Sequence, residues 1–333
     1  MNQAITDRLE LFCSNNHIAR ADFAWRIGAE IRRLISLVYA LDDKPLDSEA
    51  IKDCHGIIKG STRAFSSFRG IASYCIAAKL SLQDEPKNLF DDTLAAYDRL
   101  RDAKFAKSDQ LAVAAYILAS SAEKFNFKKI ADKAGQYRDG LRGRLWFLSG
   151  IDDSVFSVLL ALSEGTPAQG IQRIEELNGR LRPEFKWQSR ATVQSLSQVL
   201  ALGGKSDDAL NCLLDLNTAL RAHKIRLDRP YTLPALGILS LLPVDKSVIV
   251  ADLIDAQTFL RKQSGFKTIL SSELLLYATA IVASTYTDDS SDTLAASTTV
   301  STINIIIAQQ IAVMIAAMIA SSAAASAAAS ASA

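Results

Sequence analysis

The apolar positions of this chain fall into two kinds of segment that alternate along it. In the first kind, apolar residues recur every three or four positions among polar ones, as at Ile174, Leu177 and Leu181. That spacing places them on one face of a helix. In the second kind nearly every residue is apolar, as in SVFSVLLALS at residues 154–163. The pattern therefore predicts a half-exposed helix followed by a buried one, several times over.

The repeat has a period of about 40 residues, which two independent features share. Leu-Arg pairs begin at Leu100, Leu141, Leu181, Leu220 and Leu260. Helix breakers keep the same spacing, at Pro45, Pro86, Asn126, Pro167, the Gly203-Gly204 pair and Pro243. Each second helix is preceded by a residue of a type that caps helices, namely Ser108, Asp152, Ser189, Asp228 or Ser271. A period in this range is typical of stacked helical hairpins.

We therefore predict an all-α fold of about seven stacked helical hairpins, an α-α superhelix or solenoid. The predicted array covers residues 1–292, with regular units over 86–285. The N-terminal units, within residues 1–85, are atypical, because an end repeat has to present one face to water. Within them, residues 3–40 and 47–82 are each expected to form a pair of helices, and FSSFRGIASYCIAAKL forms the buried helix of the second pair.

The C-terminal segment, residues 293–333, is free of charge, and its core is the apolar stretch 303–320. Three interpretations stay open. The stretch could be a membrane anchor, although it has no basic flank. It could be a helix buried against the last repeat or inside the superhelix. It could instead associate with a second copy or with a partner.

Composition narrows the class of protein further. The chain has 37 basic and 36 acidic residues, so its net charge of +1 gives no general attraction for nucleic acid, and only a local stripe could supply one. The four cysteines show no paired spacing, which favours reduced thiols and a cytoplasmic location. The charged N-terminus lacks the apolar core of a signal peptide.

One stretch carries a family resemblance: FRGIASYCIAAKLSLQDEPKNLFDDTLAAYDRLRDAKFAKSDQLAVAAYILASSA, at residues 68–122, together with the Ala/Ser-rich ending. It resembles a bacterial family of similar length, domain of unknown function 4003. The resemblance implies a bacterial, cytosolic protein, and it transfers no catalytic residue to this chain.

The most prominent candidate site is the row of arginines in the Leu-Arg pairs. Stacked hairpins would place these arginines roughly 8–10 Å apart, as a ridge that could hold an acidic peptide by bidentate contacts. The alternative is structural, because a cation at the end of a helix meets the helix dipole and the last carbonyl groups. The row consists of Arg101, Arg142, Arg182, Arg221 and Arg261.

The sequence predicts no catalytic, cofactor-binding or metal-binding residue. Cys13 and His17 with the Cys54-His55 pair lack a familiar zinc spacing, and Asp288, Asp289 and Asp292 lack that of a calcium loop. We expect a non-catalytic protein that binds or scaffolds another protein, or associates with itself. The alternatives are a helical-repeat or α/α-toroid enzyme acting on a small molecule, and a protein attached to a membrane by its C-terminal segment.

Overall fold

The computed structural model describes residues 2–70, 72–144, 154–203, 208–230 and 232–291. In these ranges the regular structure consists of fourteen α-helices and two short 3-10 helices, without a strand. The prediction of an all-α fold is therefore confirmed. The apolar stretch 303–320 lies outside the described residues.

The helices follow one another with short connections. The odd-numbered helices are α1 (Gln3–Asp22), α3 (Ser48–Ser61), α5 (Pro86–Asp102), α7 (Phe127–Arg144), α9 (Pro167–Glu184), α11 (Asp208–Ala222) and α13 (Lys246–Lys262). The even-numbered helices are α2 (Ala29–Leu41), α4 (Ala72–Leu80), α6 (Asp109–Ser121), α8 (Ser154–Leu162), α10 (Arg190–Leu202), α12 (Leu233–Ser240) and α14 (Ser271–Ser291).

Each odd-numbered helix packs against the even-numbered helix that follows it, so the fourteen described helices form seven hairpins. The N-terminal pairs occur as expected, with α1–α2 and α3–α4 in the predicted ranges. One predicted helix is shorter than its sequence suggested. The segment beginning at Phe65 first forms a 3-10 turn over Ser67–Arg69, and α4 starts only at Ala72.

The even-numbered helices are the more buried of the two sets, and each contacts the next even-numbered helix. All eight residues of Leu233–Ser240 in α12 are buried. The odd-numbered helices bury one face only. The five leucines of the Leu-Arg pairs belong to that face, and none of them is more than 1% exposed. They are thus core residues, as the helical spacing predicted.

The first and last hairpins also pack against each other. Helix α1 contacts α13 and α14, and α2 contacts α14. The ring of Phe12 lies 5.0 Å from that of Phe266 and 5.3 Å from that of Tyr277, in edge-to-face geometry. Each hairpin therefore contacts the next one, and the last hairpin contacts the first.

Two buried arginines reinforce this junction between the first and last hairpins. Arg33 of α2 is 2.9 Å from the carboxylate of Glu273 in α14. Arg8 of α1 binds Asp43 at 2.6 Å and also donates hydrogen bonds to Ser284 and Thr285 of α14. We refer to these contacts, with the aromatic cluster, as the seam. Because an unpaired buried charge is costly, the seam arginines favour one specific arrangement of the two hairpins.

The predicted capping residues are only partly correct. Ser108 and Ser189 are the N-caps of α6 and α10, and each hydroxyl accepts a backbone N–H bond. Ser271 is the first residue of α14, and Asp152 lies outside the described residues. Asp228 is not a cap, since α12 starts at Leu233; arginine side chains hold its buried carboxylate instead.

Candidate binding face at the hairpin loops

Because successive helices reverse direction, the described loops inside the hairpins are expected at one end of the molecule. Contacts between neighbouring hairpins support this placement. Arg138 Nη1 donates to the carbonyl oxygen of Ala103 at 2.9 Å, and Gln188 Nε2 donates to that of Asp228 at 2.7 Å. We call this end, formed by the described loops inside the hairpins and the adjacent helix turns, the basic end.

The basic end carries most of the positively charged residues of the chain and few of the negatively charged ones. Its described residues are 20–33, 59–70, 99–109, 180–190, 221–230 and 261–273, together with Arg142 near the end of α7. They hold 23 of the 37 Lys and Arg residues but only 7 of the 36 Asp and Glu residues. The rest of the chain is correspondingly acidic, so a net charge of +1 conceals a strongly polarised molecule.

All five arginines of the predicted row lie at the ends of odd-numbered helices, on this end. Arg101 donates to the carbonyl oxygen of Phe105, and Arg182 donates to that of Gln188 at 3.1 Å. Arg261 donates to the carbonyl oxygen of Ile269 at 2.7 Å. Three of the five arginines therefore bind their own loops, which is the structural role considered above.

The remaining two arginines of the row are more exposed. Arg221 lies 3.5 Å from Asp228. Arg142 is exposed, and its charge, together with a larger effect from Arg138, lowers the pKa of Asp139. That these five residues also bind an acidic peptide stays a prediction.

Two of the loops share an unusual helix ending. Lys104 and Lys224 adopt left-handed backbone conformations, with φ of 67° and 63°. In each case the next amide donates to a leucine carbonyl five positions earlier, at 3.1 Å for Leu100 and 2.9 Å for Leu220. This is the Schellman arrangement, in which the left-handed residue is usually glycine. Both lysine side chains are exposed, so the motif adds two cations to the basic end.

The loops of the fifth and sixth hairpins form the most connected part of the basic end. We call residues 180–190 and 221–230 the arginine face. Asp228 is fully buried in it and accepts a hydrogen bond from Arg226 Nε at 2.8 Å. The guanidinium of Arg221 lies 5.9 Å from the ring centre of Trp187, which remains 54% exposed. Together with the Gln188 bond, these contacts join the two loops into one surface.

The arginine face carries a large excess of positive charge. It holds eight Lys and Arg residues and two acidic ones, Glu184 and Asp228. The charge of Asp228 is already engaged by Arg221 and Arg226. Lys186, Lys224 and Arg229 are exposed. The sequence predicted the arginine row that runs through this face, but not the ion pairs of Asp228, because Asp228 was interpreted as a helix cap.

Cysteine, histidine and carboxylate side chains are the candidate metal ligands and nucleophiles among the described residues. The described residues contain no group of three or more His, Cys, Asp and Glu side chains that could hold a metal ion. Burial, with a smaller effect from Asp53, raises the pKa of Cys54 to about 11. Burial also lowers the pKa of His55 to about 4, together with the charges of Lys59, Arg69 and Arg26. Thiol and imidazole are therefore both neutral near pH 7, and Cys54 is not an activated nucleophile.

In the described part of the chain, no helix is both long enough and apolar enough to cross a bilayer.

Comparison with known sequences identifies the family. The sequence profile described as "Protein of unknown function (DUF4003)" matches residues 15–312, which is most of the chain. The chain belongs to this family. Neither the curated proteins nor the solved structures include a significant match. The matched segment contains almost all of the helical hairpins, and the description of the family assigns no activity to them.

Proposed function

We propose that this DUF4003 member is a non-catalytic binding module of the bacterial cytoplasm, and that its arginine face holds an acidic segment of another protein. The observation that carries the proposal is the concentration of 23 of the 37 Lys and Arg residues at the basic end. The exposed ring of Trp187 adds an apolar contact within the arginine face. Charge and an exposed aromatic ring together are typical of a protein-binding surface.

The proposed architecture is the stacked array of hairpins predicted from the sequence, closed into a ring. The seam supports closure, since α1 and α2 pack on α13 and α14. A closed ring has no free end repeats, so its apolar ends need no separate cover. Closure also brings the loops of the first and last hairpins side by side on one rim.

The affinity of such a surface for an acidic partner depends on several contacts acting together. A single exposed ion pair contributes about 0.2–1 kcal/mol and is weakened by salt. At physiological salt the screening length is about 8 Å, so only neighbouring cations reinforce one another. We therefore expect salt-sensitive binding that requires Lys186, Lys224 and Arg229 jointly.

A test uses a fluorescent polyglutamate peptide as the probe. The wild-type chain should bind the peptide in a fluorescence anisotropy titration, and the affinity should fall as salt is raised. The triple variant Lys186→Glu, Lys224→Glu and Arg229→Glu should lose at least tenfold in affinity.

The matched control changes the net charge equally at the opposite end, with Lys87→Glu, Lys124→Glu and Lys128→Glu. These three lysines are exposed on helix surfaces. The control should bind within about twofold of wild type, allowing for long-range repulsion. Equal losses in the two triple variants, or no binding by the wild-type chain, would contradict the proposal.

A specific observation favours a second candidate, an α/α-toroid enzyme that acts on a small molecule. Ser157 of α8 and Gln194 and Gln198 of α10 are buried, and Ser157 Oγ and both Nε2 atoms have no hydrogen-bond partner. Buried polar groups without partners are uncommon and costly. Substitution of both glutamines by leucine distinguishes the candidates. If the two amides only reduce stability, the double variant should have a higher melting temperature than the wild-type chain. If they form a ligand site, the double variant should lose binding of the small molecule.

A further inference from the structure

Two aromatic side chains protrude from the basic end at the first two hairpins. Trp25, in the turn between α1 and α2, has 100% of its surface exposed. Phe65, in the loop between α3 and α4, is exposed to 104% of the reference value. Single exposed apolar residues are ordinary, but two fully exposed rings on neighbouring hairpins are a distinct feature.

Basic residues lie close to both rings in the sequence. Arg26 follows Trp25 directly, and Arg63 precedes Phe65 by two positions. Both arginines are exposed. The stretch from residue 54 to residue 83 contains no Asp or Glu, so this part of the second hairpin carries only positive charge. We call Trp25, Arg26, Lys59, Arg63, Phe65 and Arg69 the aromatic tip.

The contacts show that the two loops of the aromatic tip adjoin. Arg69 of the second hairpin donates to the carbonyl oxygens of Thr62 and Lys59, which fixes its loop against the end of α3. The ring of Phe23, directly after α1, lies 5.9 Å from that of Tyr74 in α4, and Lys52 Nζ of α3 lies 5.6 Å from the Phe23 ring. The turn that carries Trp25 and Arg26 therefore packs against the second hairpin. In agreement with this, burial and then the charges of Lys59, Arg69 and Arg26 lower the pKa of His55 to about 4.

We infer that the aromatic tip docks on the surface of an anionic lipid bilayer. Trp25 and Phe65 enter the headgroup region, and the cations around them contact lipid phosphate groups. Aromatic rings are favoured at that depth of a membrane, and basic residues close to it are attracted by anionic lipids.

The geometry favours a bilayer over an acidic peptide at this site. A peptide is normally held in a groove that buries its side chains, but these rings stand almost free of any neighbour. Protruding rings next to cations suit a broad, soft and negatively charged surface. Leu270, 74% exposed in the loop of the last hairpin, extends the apolar contact at the same end. This inference uses residues outside the arginine face and does not depend on the proposed protein partner.

The test is co-sedimentation of the full chain with lipid vesicles. Vesicles of equimolar phosphatidylglycerol and phosphatidylcholine should bind the chain at least tenfold more tightly than pure phosphatidylcholine, and salt should weaken the binding. The variant Trp25→Ser with Phe65→Ser should lose at least tenfold in partition. The charge variant Arg26→Glu with Arg63→Glu should lose at least as much.

The matched control is Phe125→Ser, because Phe125 is also exposed, to 81%, but lies at the opposite end. It should bind like wild type. A separate variant, Trp25→Phe, should keep vesicle binding while losing most of the blue shift of tryptophan fluorescence that the vesicles induce.

Several results would overturn the inference. One is equal binding to neutral and anionic vesicles. Another is binding that survives in the Trp25→Ser, Phe65→Ser variant, since contact would then lie elsewhere, for example in residues 293–333. A third is loss of polyglutamate binding in that variant with unchanged vesicle binding, which would assign the aromatic tip to an acidic protein.

Discussion

Individual residues at the hairpin ends combine two roles, since they terminate helices and supply charge. Lys104 and Lys224 occupy left-handed positions where glycine is usual. Arg101, Arg182 and Arg261 bind the carbonyl groups of their own loops. The basic end is therefore built from residues that are also needed locally, which explains why its charge recurs with the period of the fold.

The left-handed lysines give a prediction about stability. Lys104→Gly and Lys224→Gly should each raise the free energy of unfolding by about 0.5–1 kcal/mol. Relief of the left-handed strain outweighs the greater freedom of glycine in the unfolded chain. Urea unfolding measures the effect. The control Lys107→Gly, at an exposed position without positive φ, should give no gain. A gain there as large as at the other two positions would contradict the explanation.

His55 gives a prediction about pH. Its pKa in the folded chain is about 4, below its ordinary value of 6.5, so the unfolded chain binds more protons between these two values. Stability should therefore be complete above about pH 6.5 and decline as the pH falls towards 4. Nuclear magnetic resonance titration of the His55 ring should show the low pKa. Arg69→Ala should raise it, and a pKa near 6.5 in the wild-type chain would refute the assignment.

At the residue scale, the sequence predicted which residues are buried better than it predicted which side chains contact each other. The five leucines were expected in the core and are buried there, because helical spacing alone determines which face they occupy. Asp228 was misassigned because its role depends on Arg221 and Arg226 around it, and on where α12 begins. A capping residue and a buried ion-pair partner have the same amino-acid type.

At the element scale, the hairpins were predictable because each is specified by local signals. Breakers such as Pro86 and Pro167 stand at the first position of their helices, where proline is favoured. The start of α4 was less predictable. The apolar residues before Ala72 suggested helix, but the chain forms a 3-10 turn there, which buries Phe68. Tertiary packing of one aromatic ring outweighed the local pattern.

The element scale also gives a prediction about the Leu-Arg leucines. Leu181→Ala should cost about 2–5 kcal/mol of unfolding free energy, because Leu181 is fully buried and its removal leaves a cavity. Leu270→Ala is the matched control, since Leu270 is 74% exposed. It should change stability by no more than about 0.5 kcal/mol. Similar costs at both positions in chemical unfolding would contradict the proposed core.

At the scale of the whole molecule, two features stand out: the seam between the first and last hairpins, and the concentration of positive charge at the basic end. The contact of the first hairpin with the last could not be read from the repeat, since it depends on pairs such as Arg33 and Glu273 that lie far apart in sequence. An open and a closed array have the same hydrophobic period. The concentration of positive charge was partly predicted, because the arginine row was expected along one edge of the array despite the net charge of +1.

The whole-molecule proposals fit together if the two surfaces of the basic end have different partners. The aromatic tip belongs to the first two hairpins, and the arginine face belongs to the fifth and sixth. A chain held at an anionic membrane by its tip could recruit an acidic protein through the face. Both surfaces lie at the basic end because they are built from loops inside the hairpins, and closure would place them on one continuous rim.

The distance between the first and last hairpins tests closure most directly. Spin labels would be placed at Arg20→Cys and Ser264→Cys, in a chain whose four native cysteines are replaced. Arg20 Nη1 lies 3.2 Å from Ser264 Oγ, and both side chains are exposed. Pulsed electron paramagnetic resonance should therefore give a narrow distribution below about 20 Å, allowing for the label linkers. In an open array, six steps of about 8–10 Å would separate the labels by about 50 Å, and that result would contradict the closed ring.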